Sequence, residues 1–193
     1  MYPTYLLGYM PDYFSRFRAW AIKMADSCAC ADVLQGSELF VLDNLRSCLT
    51  GYDLGESACW VFNYQSAFAR LGSSAANRLV PELHLWALVL RQNAGRGLSY
   101  FPKFCRHVCR DEFLALAALS FAQNDDEETA NLALQNLQEV QHSATREILW
   151  RQTERCAAHF AAAGIMLRPL PIESVIMAGR FGQGVSSPSQ LLN

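Results

Sequence analysis

Between Glu82 and Asp111 the chain carries no acidic residue, yet that interval holds Arg91, Arg96, Lys103, Arg106, His107 and Arg110. Cations at this density suit an anion: a phosphorylated small molecule, an acidic partner surface or a nucleic-acid backbone. On a helix beginning near Pro102, Lys103, Arg106, His107 and Arg110 fall within an arc of about 100°. They would share one face close to a helix N-terminus, where unpaired backbone N–H groups and the helix dipole already favour negative charge. These six residues are the candidate ligand- or partner-binding set. The plainer alternative is a solvated helix face paired with acids from elsewhere, such as those at 125–128.

The whole-chain charge narrows the anion. A formal net charge of −2 and a pI near 6.1 weigh against a sequence-specific DNA reader, which is usually basic overall. Arginine outnumbers lysine fourteen to two. Fork-shaped contacts to anions favour arginine, but genomic base composition explains the ratio at least as well.

Gln92, Gly95 and Gly97 fall in the form Q-x-x-G-x-G. That loop is similar to the pyrophosphate loop of the GNAT acetyltransferases, where backbone N–H groups cradle coenzyme A. The resemblance covers six residues and implies a strand before the loop and a helix directly after it. Here the upstream residues 12–71 read as helices, and a glycine loop of this composition is ordinarily a turn.

Cysteine offers a second chemistry. Cys28 and Cys30 with Cys105 and Cys109 could supply four thiolates to zinc, but neither pair has the common C-x-x-C spacing. On a helical wheel Cys105 and Cys109 lie with Phe104 and Val108, opposite the basic face, as small core hydrophobes do. The histidines are His84, His107, His142 and His159. Glu139 and His142 make a single E-x-x-H, whereas a carboxylate di-iron site needs two such pairs and two further glutamates. His159 beside Cys156 reads as structural rather than as a nucleophile–base pair. No P-loop, G-x-S-x-G or H-E-x-x-H motif occurs. The sequence therefore implies no metal, no cofactor and no catalytic residue.

The elements that must carry these residues are helical. Residues 103–163 contain neither glycine nor proline, the two residues that cost a helix interior most. Only six of them are Val, Ile or Thr, whereas twelve are Ala. Upstream, Tyr13, Phe17, Trp20 and Met24 recur at helical spacing from Asp12. Ser37 suits an N-cap for a helix buried through Leu39, Leu42, Leu45 and Leu49 and stopped by Gly51. Asp53 and Glu56 fit a capping box for a third helix, with Trp60, Tyr64, Ala67, Phe68 and Leu71 on its inner side. Pro81 suits a first helical position, so 81–92 reads as a fourth helix, with a buried strand over 83–90 as the alternative. Two more helices follow, over about 102–123 and 126–163. The second would be a single rod of roughly 55 Å, with an amide-rich side of Asn131, Gln135, Asn136, Gln138, Gln141 and Gln152.

The expectation is all-α: a single-domain bundle of five or six helices over 1–185, with a long C-terminal helix and then a loose tail over 186–193. The N-terminus has no basic, then apolar, export pattern, and no apolar run is long enough to span a membrane. Seven cysteines without an export signal suggest reduced thiols and a cytoplasmic location. The functional expectation is a non-enzymatic intracellular interaction protein, an adaptor, accessory or regulatory subunit, whose partner is another protein. Its rivals are an enzyme or sensor binding a phosphorylated small molecule near 91–110, and a metal-containing helical protein.

Overall fold

The computed structural model describes residues 29–30, 34, 36–94, 96–138 and 143–168, with isolated positions 172, 175, 176 and 178. The helix expected from Asp12 and the tail over 186–193 lie outside the described residues. In chain order the described elements are β1 (Ala29–Cys30), α1 (Gly36–Leu54), α2 (Ser57–Leu71), α3 (Ser73–Asn93), β2 (His107–Val108), α4 (Arg110–Gln123), α5 (Glu127–Leu137) and α6 (Ser143–Ala162). The architecture is all-α. The two strands form only a short antiparallel ladder, with Ala29 opposite Val108 and Cys30 opposite His107.

The middle of α4 is buried on every side. On α4 every residue of the run Leu114, Ala115, Leu116, Ala117, Ala118 and Leu119 is buried, as expected of a helix that is apolar all round. α5 and α6 pack on α4, and α3 packs on α6 and α1. The α3–α6 seam closes on Trp86, which is fully buried and donates its indole N–H to Thr153 Oγ1 at 3.0 Å. Truncating such a side chain to alanine costs about 3–5 kcal/mol. α2 lies at the periphery and packs chiefly on α1 and α3.

Several boundaries differ from the sequence reading, each for an identifiable physical reason. α3 begins at Ser73 and carries Pro81 inside it. The carbonyl that loses its donor belongs to Asn77, and both residues face solvent, where water replaces the missing bond. The same helix settles residues 83–90 as helical. Gly51 does not stop α1, which continues to Leu54. It is a close-approach residue: a methyl group there would overlap the Trp60 indole nitrogen and come within 2.9 Å of its Cδ1. The turn falls instead at Gly55, with φ +69°. Asp53 caps nothing, because Arg91 Nε and Tyr100 Oη both donate to it.

α2 is also rotated from its expected face. Its core residues are Asn63 and Ala67, small enough to bring the helix close to α1. There Asn63 Nδ2 donates to the Asn44 carbonyl at 3.1 Å and to Cys48 Sγ at 2.9 Å. The expected C-terminal rod is two helices. α5 ends at Leu137, Gln138 is extended with φ −94° and ψ 132°, and α6 starts at Ser143. α5 and α6 each pack against α4. Among the described residues no helix is long and apolar enough to cross a membrane.

Candidate functional site

The helix expected from Pro102 does not start until Arg110. Residues 97–109 instead form an extended excursion, and a buried ion pair from outside it sets its path. Arg46 on α1 donates from Nε to Glu112 Oε1 at 2.6 Å and from Nη2 to Oε2 at 3.0 Å. Both side chains are about 1% exposed. Each also holds excursion backbone. Arg46 donates to the carbonyls of Cys105 at 2.8 Å and His107 at 2.5 Å. Glu112 accepts from the N–H groups of Phe101 at 2.8 Å and Cys109 at 2.9 Å. Backbone groups that a helix would have satisfied internally are satisfied by this pair, so tertiary contacts override the local helical preference.

The excursion carries a strained turn. Phe104 has φ +63°, an outlier for a bulky side chain, and its N–H donates to Asp43 Oδ1 at 3.1 Å. Its ring is 71% exposed and meets the Phe62 ring edge-on, with centroids 6.2 Å apart. Strain of this kind persists only where surrounding contacts over-determine it, and it clusters at ligand clamps.

The turn closes one end of a groove of about 600 Å³ between α1 and α2. Leu39, Phe40, Phe62, Ala69 and Phe104 supply its apolar walls, and Asn44, Gln65 and Ser66 its polar ones. Arg70 marks the far end, stacked over the Phe40 ring at 4.8 Å and bonded to the Gly36 carbonyl at 2.9 Å. Lys103 marks the near end. Its Nζ sits 3.4 Å from the Phe62 centroid and 5.3 Å from that of Phe104. The amine is buried and has no hydrogen-bond partner among the described residues. That burial brings its pKa down to about 8, against the opposing pull of Asp43, Cys59 and Cys48. Cation–π attraction returns part of the lost hydration but offers no acceptor.

The apolar surface continues past the groove. Val61, Phe62 and Phe68 on α2 are 56%, 42% and 50% exposed. Arg70 is the helix's one charged residue. A surface helix ordinarily carries charge on its outer face, so α2 leaves an apolar patch of the kind that marks interaction sites.

The six residues singled out from sequence do not share a helical face. Arg91 closes α3 and pairs with Asp53 at 2.7 Å, beside a smaller pocket of about 290 Å³ that Tyr100 also lines. Arg96 pairs with Asp111 at 2.5 Å, and Arg110 with the same carboxylate at 3.1 Å. Arg110 also donates to the carbonyls of Asn136 and Ala178, which ties α4 to the C-terminal segment. His107 lies in β2, its ring 6.0 Å from that of Phe101. Arg106 is exposed and has no ion-pair partner among the described residues. Only Lys103 of the six lines the groove.

The glycine loop at 92–97 follows a helix, not a strand, so the context implied by the acetyltransferase resemblance is missing. Cys109 is buried, Cys105 is partly exposed and both are free. Cys28, Glu139 and His142 lie outside the described residues. Among the described residues no group of three or more His, Cys, Asp or Glu is placed to hold a metal ion.

Sequence reasoning missed Arg46, Glu112, Phe62 and Phe104. The scarcity of charge in 57–71 was available as a signal for Phe62, whereas a partnership across 66 residues such as Arg46–Glu112 has no local signature. No family model, no curated protein and no solved structure matches this chain.

Proposed function

We propose that the protein is a non-enzymatic interaction module, an adaptor or regulatory subunit, whose α1–α2 groove receives an apolar, acid-bearing helix of a partner protein. The observation that carries this reading is α2 itself, a peripheral helix with one charged residue and three large apolar side chains in solvent. Helix-in-groove recognition lays the apolar face of a helix into a hydrophobic groove, and Leu39, Phe40, Phe62 and Phe104 give this groove its apolar lining. The cations at the two ends, Arg70 and Lys103, set the partner's charge. Asp43 is already engaged by the Phe104 N–H and lies 3.7 Å from Arg46, so it opposes an acidic ligand little. A partner carboxylate would give the Lys103 amine the acceptor it lacks.

The phosphate-ligand reading retains less support. Arg91, Arg96 and Arg110 are engaged by Asp53 and Asp111, which leaves no cluster of converging cations.

The test is fluorescence anisotropy with a labelled amphipathic helical peptide. One version carries leucines on one face with glutamates at its edges, and a second carries lysines in place of the glutamates. The acidic peptide is expected to bind more tightly, and Phe62→Glu is expected to weaken it at least tenfold while leaving the thermal melt in place. Equal affinity for both peptides, or binding indifferent to Phe62→Glu, overturns the reading.

A further inference from the structure

Lys103 differs from an ordinary surface lysine in three respects that belong together. Its amine lies over one aromatic ring and beside a second. No hydrogen-bond acceptor among the described residues holds it. It lines an apolar groove large enough for a small organic molecule. The groups that bear on it electrostatically are Asp43 and Cys48 from α1 and Cys59 from α2, all of which favour the protonated form. On its own excursion Cys105, Arg106 and His107 follow. Burial nevertheless prevails and lowers the pKa to about 8. At pH 7 about one such amine in ten is neutral, against fewer than about one in a thousand for a lysine at 10.5. Desolvation in an apolar pocket is a recognised way of activating a lysine as a nucleophile.

We propose that Lys103 is a carbonyl-capturing amine, which forms an imine with an apolar aldehyde held in the α1–α2 groove. The inference goes beyond the docking reading and does not depend on it. The Nζ lone pair attacks the carbonyl carbon, a C–N bond forms, and a proton passes from nitrogen to oxygen to give a carbinolamine. Departure of that hydroxyl together with the remaining N–H proton, as water, leaves the C=N bond. Carbonyl and amine together yield imine and one water, so no oxidant or reductant is consumed. Phe62 and Phe104 supply the apolar walls against which the aldehyde's chain lies.

The sequence provides an internal reference, because Lys23 is the only other lysine. The experiment incubates the full chain with hexanal and sodium cyanoborohydride, which traps any imine as a stable secondary amine. Peptide mass mapping then gives the initial labelling rates at Lys103 and Lys23. At pH 7 Lys103 is expected to label at least tenfold faster than Lys23, and raising the pH well past about 8 should add little more to the neutral fraction of Lys103. Formaldehyde, which needs no groove, is expected to give a smaller ratio than hexanal. Phe62→Ala is expected to bring the hexanal ratio towards that of formaldehyde. A hexanal ratio near one at pH 7 overturns the proposal. So does a ratio that is high but equal for the two aldehydes, because the amine would then be reactive without a carbonyl site around it. Neither result bears on peptide affinity, so the two proposals fail separately.

Discussion

Replacing Glu112 with leucine should be among the most damaging single changes in the protein. The carboxylate accepts four hydrogen bonds, two from the Arg46 guanidinium and one each from the Phe101 and Cys109 N–H groups. Leucine leaves the guanidinium charged and buried with no counter-ion, and strands two backbone donors. Breaking a buried pair in this way costs about 3–5 kcal/mol, and each stranded donor adds roughly 1–3 kcal/mol where water cannot reach it. For a chain of this length each kcal/mol moves Tm by about 2–4 °C. The ion-pair loss alone therefore corresponds to a fall of roughly 6–20 °C, followed by circular dichroism and by the urea midpoint. Adding Arg46→Met to Glu112→Leu removes the orphaned charge and should restore part of the loss. It cannot restore all of it, because the Phe101 and Cys109 N–H groups and the Cys105 and His107 carbonyls lose the partners this pair gave them. A Glu112→Leu protein that melts within about 2 °C of the parent would refute the reasoning, and so would a double variant whose loss is the sum of the two single ones.

Three further outcomes follow from the same contacts. Lys103 has a folded pKa of about 8 against an ordinary 10.5. The unfolded chain therefore holds more protons between those values, and this group's penalty on stability fades as the pH rises through them. Lys103→Met should accordingly raise Tm at pH 7 and lose that advantage by pH 10; an advantage that grows with pH contradicts the assignment. Gly51→Ala would ordinarily help a helix interior, but here the added methyl meets the Trp60 indole. A loss of about 1–3 kcal/mol is expected, and a gain in a urea titration would show that α2 can yield at no cost. Burial alone would raise the Glu38 pKa, but hydrogen bonds from the Arg168 side chain and N–H hold it below the usual 4.5. A carboxylate of this kind contributes stability above its unfolded pKa and loses it as the pH falls through the folded one. Arg168→Ala should therefore lower Tm at pH 7, by an amount that shrinks as the pH falls below 4.5 and through the folded pKa; an effect that does not change with pH would assign the loss to packing.

The bundle was legible where a local rule and the tertiary environment agree. Leu42, Leu45 and Leu49 form the buried stripe their spacing announces, whereas Leu39, from the same stripe, is left in the groove wall. It failed where a distant residue decides. Pro81 and Gly51 are helix breakers by propensity, yet solvent exposure at one and close approach of Trp60 at the other make them tolerable inside helices. Lys103 was visible as a cation in an acid-free interval, but the helix meant to present it is pre-empted by Arg46 and Glu112. The groove needed two helices and a turn brought together, and only the charge-poor run of α2 hinted at it.

The excursion over 97–109 has a consequence for how this protein can diversify. Its course is anchored by side chains that lie outside it, Asp43 and Arg46 on α1 and Asp111 and Glu112 in the first turn of α4. Those anchors grip its main chain, not its side chains. Residues at its tip, Phe104 and Arg106 among them, can therefore be exchanged with little effect on the path they decorate, much as letters can be reset in a fixed frame. Substitutions at a few exposed positions would therefore reshape the rim of the groove, while Arg46 and Glu112, each about 1% exposed, stay out of its surface.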